Sequence, residues 1–219
     1  MSEYTAEYFI NSQRSKYQLT SMLLNHLSSV PLGARILEIG CGDLQVLKAL
    51  REIRPDLEMT GIDIGDVPVD TDSADIHFIK SDFMDFHSEA TFHLVLAIDV
   101  LEHLLVPQNL VKMASTYLNH EGSIYISAPA TGKLLLLGDA NFFSDYTHVR
   151  PFNMKSFSRL LQDQGLKVQA AQCDNSKGIR SLPRFLYYIA RGVLTVDVGY
   201  LNAALAMVAG TAIEAIASK

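Results

Sequence analysis

Where the apolar runs of this chain end, acids and glycines follow. Glu38 lies inside Ile36-Leu37-Glu38-Ile39 and is followed by Gly40-Cys41-Gly42. Asp63 closes Gly61-Ile62-Asp63 just before Ile64, Asp82-Phe83 come shortly after His77-Phe78-Ile79-Lys80, and Asp99 follows Leu96-Ala97-Ile98. Glycines at 40 and 42 let the backbone turn sharply and let a ligand approach where a Cβ would collide, which is the physics of a nucleotide-binding turn. A carboxylate such as Asp63 can accept two hydrogen bonds from a vicinal diol. Glu38 is hard to explain structurally, because a buried carboxylate without a partner is expensive, so a functional role is assigned to it. Cys41, between the glycines, reads as a small side chain rather than a nucleophile.

A second set is Asp99, Glu102 and His103 together with the later Asp145, His148 and Arg150. On a helical turn Asp99 would share a face with Glu102 and His103, and with His148 such a set could hold a divalent cation. A Glu-His pair equally caps a turn or orients a substrate, and that reading is adopted, with no metal assigned. Imidazole titrates in the working range and can take a proton. His148 is the first candidate base, with Asp145 to orient it, and His103 is the second.

These residues need elements to bring them together. Arg35 to Ile39, Leu57 to Ile64, Asp75 to Lys80, Phe92 to Ile98, Gly122 to Ala128, Leu166 to Cys173 and Thr211 to Ser218 read as strands. Between them, Asp43 to Ile53 carries Leu44, Leu47 and Leu50 on one face, Pro107 to Leu118 starts on a well-placed proline, and Asn153 to Gln164 runs from an N-cap to the stop at Gly165. Tyr4 to Leu27 predicts one or two amphipathic helices, Gly65 to Ala74 a loop, and Ala130 to Pro151 a long stretch with little regular pattern. Ser181 to Met207 is apolar and helical in character, with a break near Val196 to Gly199. Strands alternating with helices predict a doubly wound α/β sheet with its ligand at the carboxyl ends of the strands, where Gly40, Gly42, Asp63, Asp82, Asp99 and Pro129 all fall.

Composition bounds the partners. The chain has 219 residues, 48% of them hydrophobic, and a formal net charge of −6. That length suits one domain with a real core. No dense Lys/Arg run supplies the phosphate-neutralising patch of a general nucleic-acid binder, so nucleic acid is not expected as a partner. Two distant cysteines and an N-terminus without a secretory pattern predict a reduced, cytoplasmic protein. Leu201 to Ala217 is shorter than the ~20 apolar residues of a spanning helix and contains Asn202, Gly210 and Glu214, so stable membrane insertion is not expected.

With these motifs in this order, the chain resembles the class I S-adenosylmethionine-dependent methyltransferases of the small-molecule type, over about Ile36 to Val168. The resemblance implies a Rossmann-like, mostly parallel seven-stranded sheet in one domain spanning 1–219, with an N-terminal helical lid (1–30) and a helical insertion (174–210) before the last strand. It implies that Glu38, Gly40, Cys41 and Gly42 cradle the methionine part of S-adenosylmethionine, Glu38 near its amino group. Asp63, followed by Ile64, would take the ribose hydroxyls. Asp82 and Phe83 would lie by the adenine, and Asp99-Val100-Leu101-Glu102-His103-Leu104 would line the cofactor and face the substrate. Thr147-His148-Val149-Arg150-Pro151-Phe152 is similar to a segment of members from sugar, lipid and secondary-metabolite pathways, which puts His148 and Arg150 in the acceptor pocket. Asp145 and Tyr17 are assigned to substrate binding beside them. Leu44 stands where that family often has a further glycine.

The expected activity is methyl transfer to an oxygen or nitrogen of a small-molecule acceptor, a metabolite, sugar or secondary metabolite. Two other readings stay open: a regulatory protein that binds the cofactor but has lost chemistry, and an NAD-dependent oxidoreductase. The latter is disfavoured because the third glycine of the dinucleotide fingerprint falls at Gln45. The insertion reads as a helical pad that completes the core or forms a homodimer interface; a sharper reading makes it a wall of the acceptor pocket.

Overall fold

A computed structural model describes residues 17–66, 75–131, 140–143, 145–174, 182–197, 200–201, 204 and 212–219. In chain order the elements are α1 (Ser21–Leu27), β1 (Arg35–Ile39), α2 (Gln45–Ile53), β2 (Glu58–Asp63), β3 (Ile76–Lys80), β4 (Phe92–Ile98), a 3₁₀ turn (Leu101–His103), α3 (Pro107–Tyr117), β5 (Leu118–Pro129), α4 (Ala140–Phe143), α5 (Met154–Asp163), β6 (Lys167–Asp174), α6 (Leu182–Thr195) and β7 (Ala212–Ser218). The strands form one sheet in the order β3-β2-β1-β4-β5-β7-β6. The first five are parallel neighbours, and β7 runs antiparallel between β5 and β6.

The centre of the sheet is buried on both faces, which is why β1 and β4 are near-continuous apolar runs. Alternation sends Leu37, Ile39, Val95, Ala97, Ile124 and Ile126 to one side, against α3 and α5. Ile36, Leu94, Leu96 and Tyr125 go to the other side, against α1 and α2. Glu38 shares the side of Ile36 and stands in register with Gly61 on β2 and Leu96 on β4.

The expected caps form. The Asn153 side chain accepts from Ser156 N, and Ser156 Oγ in turn accepts from Asn153 N, closing a capping box on α5. Gly165 follows at φ +79°. Pro107 opens α3; the Thr20 hydroxyl, not singled out in the sequence, caps α1.

Two differences from the sequence reading have physical causes. β5 begins at Leu118 rather than Gly122, because Asn119, His120 and Glu121 extend the strand beyond the core, and their polarity conceals it. Within the stretch read as patternless, the four-residue α4 is too short to leave a period. Among the predicted elements, the N-terminal helix before Tyr17 and most of the Gly65 to Ala74 loop lie outside the described residues. α6 ends at Thr195 and Val196 takes φ +54°, at the expected break, with Tyr200, Leu201 and Ala204 again helical. A Cβ on Gly192 would meet Leu201 Cγ at 2.6 Å, so the packing of this segment requires a glycine there. Among the described residues, no helix is long and apolar enough to cross a membrane.

Candidate active site

The turn after β1 is built by backbone bonds to β2. Gly40 N and Cys41 N donate to Ile62 O at 2.8 and 3.1 Å, and Gly42 N donates to Asp63 Oδ2 at 2.9 Å. Asp63 Oδ1 accepts from Gly65 N at 2.7 Å, so this carboxylate ties the two strand ends together. Gly40 and Gly42 take φ +72° and +48°. A Cβ on Gly40 would come within 2.4 Å of Val100 Cγ2, so the glycine also lets the turn after β4 pack against the turn after β1. Leu44, fully buried, is held at φ 64°, ψ 18°, a conformation that suits glycine. It leaves α2 without a side-chain cap, at the helix end that favours an anion or dipole.

Glu38 is 2% exposed and its Oε2 has no hydrogen-bond partner. Burial, then the Asp63 and Asp43 carboxylates, push its pKa well above the carboxylate range. Burial and Glu38 also push the Cys41 thiol up and keep it protonated, in keeping with its reading as a small side chain.

The second set assembles around the 3₁₀ turn that follows Val100. Val149 N and Arg150 N both donate to Glu102 O, at 2.9 and 3.0 Å, which brings the later loop onto the 3₁₀ turn. The His103 and His148 rings meet edge-on with centroids 4.7 Å apart, and Phe142 lies 4.7 Å from His148. Glu102 is fully buried and neither carboxylate oxygen is hydrogen-bonded. Burial first, then Asp99 and Asp145, push its pKa up to about 8. Burial and the neighbouring His148 lower that of His103.

Contrary to expectation, Asp99 is not on a helical face shared with Glu102 and His103, although its carboxylate is near enough to raise the Glu102 pKa. The chain turns through φ +54° at Asp99, and the 3₁₀ turn starts only at Leu101, so the atoms that converge belong to Glu102, His103 and His148. Asp145 lies beside His148, its Oδ2 3.7 Å from Nε2, and its Oδ1 accepts from Thr147 N and the Thr147 hydroxyl at 2.9 and 2.5 Å. Phe142 O, 2.9 Å from its Nδ1, holds the other side of the His148 ring. Burial raises the Asp145 pKa, but the Thr147 bonds and both imidazoles outweigh it and hold the carboxyl below its usual range.

The remaining candidates are scattered more widely. Asp82 is exposed and its Oδ1 accepts from Met84 N, Phe83 packs on the α3 side of the core, and Ile64 is exposed. Arg150 donates to Leu105 O at 2.7 Å, a bond that steadies the loop. Tyr17 packs on the α1–α2 side of the core. The sequence reading missed Glu214, a fully buried acid on β7 that receives Tyr125 OH at 2.5 Å, the Thr20 hydroxyl at 2.6 Å and Gln172 Nε2 at 2.8 Å. Its signal was the same as that of Glu38, one acid in an apolar strand.

Residues 11–171 match a family model described as a methyltransferase domain. No curated protein sequence matches. Among solved structures, a SAM-dependent methyltransferase from Archaeoglobus fulgidus shares 19% identity and a TM-score of 0.65, covering 97% of this chain and 99% of that one. A chain of the complex between the Haloferax volcanii Trm112 methyltransferase activator and a methyltransferase shares 14% identity and a TM-score of 0.66, covering 90% and 88%. The plantazolicin methyltransferase BpumL, in complex with a triazolic desmethylPZN analog and SAH, shares 19% identity and a TM-score of 0.59, covering 91% and 81%. At these identities the likeness is one of fold.

Proposed function

The chain belongs to the methyltransferase-domain family, and from that premise we propose that it transfers the methyl group of S-adenosylmethionine to an oxygen or nitrogen of a small-molecule acceptor. The observation that carries the cofactor assignment is Glu38, a buried carboxylate with an unpartnered oxygen beside the Gly40 to Gly42 turn and Asp63. The residues present fit the cofactor: Glu38 would hold its amino group, Gly40 and Gly42 present no Cβ to its methionine part, and Asp63 keeps lone pairs for the ribose hydroxyls. When bound, the cofactor supplies a sulfonium methyl carbon open to in-line displacement.

The rest is done by the chain. Positioning the acceptor in line and excluding water contribute most of the rate in such a displacement. His148 donates Nδ1–H to Phe142 O, so its Nε2 carries the lone pair that takes the acceptor's proton. Thr147 holds His103 next to it. The SAH-bound BpumL structure, with its desmethylPZN analog, favours a discrete small acceptor, as does a net charge of −6, which disfavours nucleic acid.

Titration calorimetry tests the reading. S-adenosylhomocysteine should bind and NAD should not; NAD binding without S-adenosylhomocysteine binding overturns the proposal. Asp63→Ala should weaken S-adenosylhomocysteine by about 1–3 kcal/mol, the scale of lost charge-assisted hydrogen bonds. Transfer of labelled methyl to a panel of hydroxyl and amine acceptors then identifies the substrate class.

A further inference from the structure

Glu102, His103 and His148 each offer a ligand atom, and these atoms lie within 4.8 Å of one another. What fills the space between them follows from where the protons are. Phe142 O can only accept, so His148 Nδ1 carries the hydrogen and Nε2 the lone pair. Thr147 gives its hydroxyl hydrogen to Asp145 and therefore accepts from His103 Nδ1–H, which leaves the second lone pair on His103 Nε2. Both Nε2 atoms stand near Glu102 Oε1, at 3.9 and 4.0 Å. Glu102 itself is fully buried with both oxygens unbonded. Three electron-pair donors thus converge, and the distances between them exceed a hydrogen bond.

We propose that Glu102, His103 and His148 bind a divalent first-row transition-metal ion. Ligands about 2.0–2.2 Å from a common tetrahedral ion are roughly 3.3–3.6 Å apart, so these donors, at up to 4.8 Å, close on a cation by moving inward. Two imidazoles and one carboxylate suit zinc, manganese, iron or cobalt; calcium and magnesium favour all-oxygen sites. Each histidine is already oriented through its far nitrogen, by Phe142 O and by the Thr147–Asp145 pair, as metal-binding histidines are. Three protein ligands leave positions for water or an acceptor oxygen. In the metal-loaded protein His148 is a ligand, and a hydroxide on the cation would replace its Nε2 as the group that takes the acceptor's proton, becoming water. Only this last step rests on the methyltransferase reading.

The test uses the full chain, stripped with a chelator. Cobalt(II) is titrated with visible absorption as the readout and zinc(II) by calorimetry. One equivalent is expected, with a cobalt spectrum of mixed nitrogen and oxygen ligation. Glu102→Gln and His148→Gln should each weaken binding by tenfold or more, on the order of what even outer-shell changes do to metal sites. His120→Gln, at an exposed edge of β5, should leave it unchanged. Should Glu102→Gln not fold, His148→Gln decides. No binding by the wild-type chain, or binding that survives in the folded variants, overturns the site. S-adenosylhomocysteine titration on the same samples keeps the two proposals separate, since loss of that binding alone counts against the methyltransferase reading and not against the cation.

Discussion

Glu38 separates what the fold wants from what the site wants. Its folded pKa is raised above the ordinary value of 4.5, chiefly by burial. A raised carboxyl favours the fold only while protonated, so its contribution is fully present below pH ~4.5 and is lost as pH rises through the folded value. At pH 7 the group is held at a cost. Glu38→Gln should therefore raise the melting temperature of the ligand-free chain at pH 7 to 8 and flatten its pH dependence above pH 5. The same change should weaken S-adenosylhomocysteine by roughly 10- to 100-fold, the scale of a hydrogen bond to a charged group. Thermal melts across pH and calorimetry check both halves; a lower melting temperature with unaltered affinity would contradict the assignment. Glu38 was legible in the sequence because an acid inside an apolar run has few structural reasons to be there. Glu102 was harder to weigh, since nothing local says that Val149 and Arg150 will fold back onto its carbonyl and seal its carboxylate from water.

Among the elements, β1 and β4 run over the residues read from their apolar runs, Arg35–Ile39 and Phe92–Ile98. Their boundaries are sharp because both faces are buried and the chain turns polar or glycine-rich at each end. The start of β5 and the four residues of α4 were not legible, the first because it is a polar extension and the second because a single turn has no period. The pairing of the 3₁₀ turn with the loop at His148 depends on long-range closure, which no local pattern encodes. At the start of α2, the family's customary glycine position holds Leu44, and the structure keeps it in the left-handed region with its side chain fully buried. Left-handed backbone costs a non-glycine residue about 1–2 kcal/mol, while the buried leucine contributes about 2–5 kcal/mol over alanine. Leu44→Gly and Leu44→Ala should thus both destabilise, but glycine by about 1 kcal/mol less. That order reverses the usual helix penalty for glycine, and denaturant melts of the two variants measure it directly.

At the scale of the molecule, the sheet's last strand is tied to its first described helix. Glu214 of β7 receives Tyr125 OH from β5, Gln172 from β6 and the hydroxyl of Thr20, which also caps α1 by accepting from Leu23 N. One buried carboxylate therefore joins residues 194 positions apart in sequence. It draws the segment that leads into α1 against the antiparallel end of the sheet. A buried acid with three donors resists the replacement of any one of them, because the others cannot make up the lost bond and the freed lone pair stays out of water. Tyr125→Phe should cost about 1.5–3 kcal/mol, the range for a hydrogen bond to a charged group. Thr20→Val should cost a similar amount, because it loses the helix cap as well as the contact with Glu214. The two sites also touch each other at 3.0 Å, so their effects should not add. In the double variant the expected coupling is 0.5 kcal/mol or more. Hydrogen exchange gives the second readout. If Glu214 anchors α1, Tyr125→Phe should speed exchange at Leu23 and Leu24 amides while leaving the β1–β4 ladder protected, and uniform acceleration across both would show the network to be ordinary core packing.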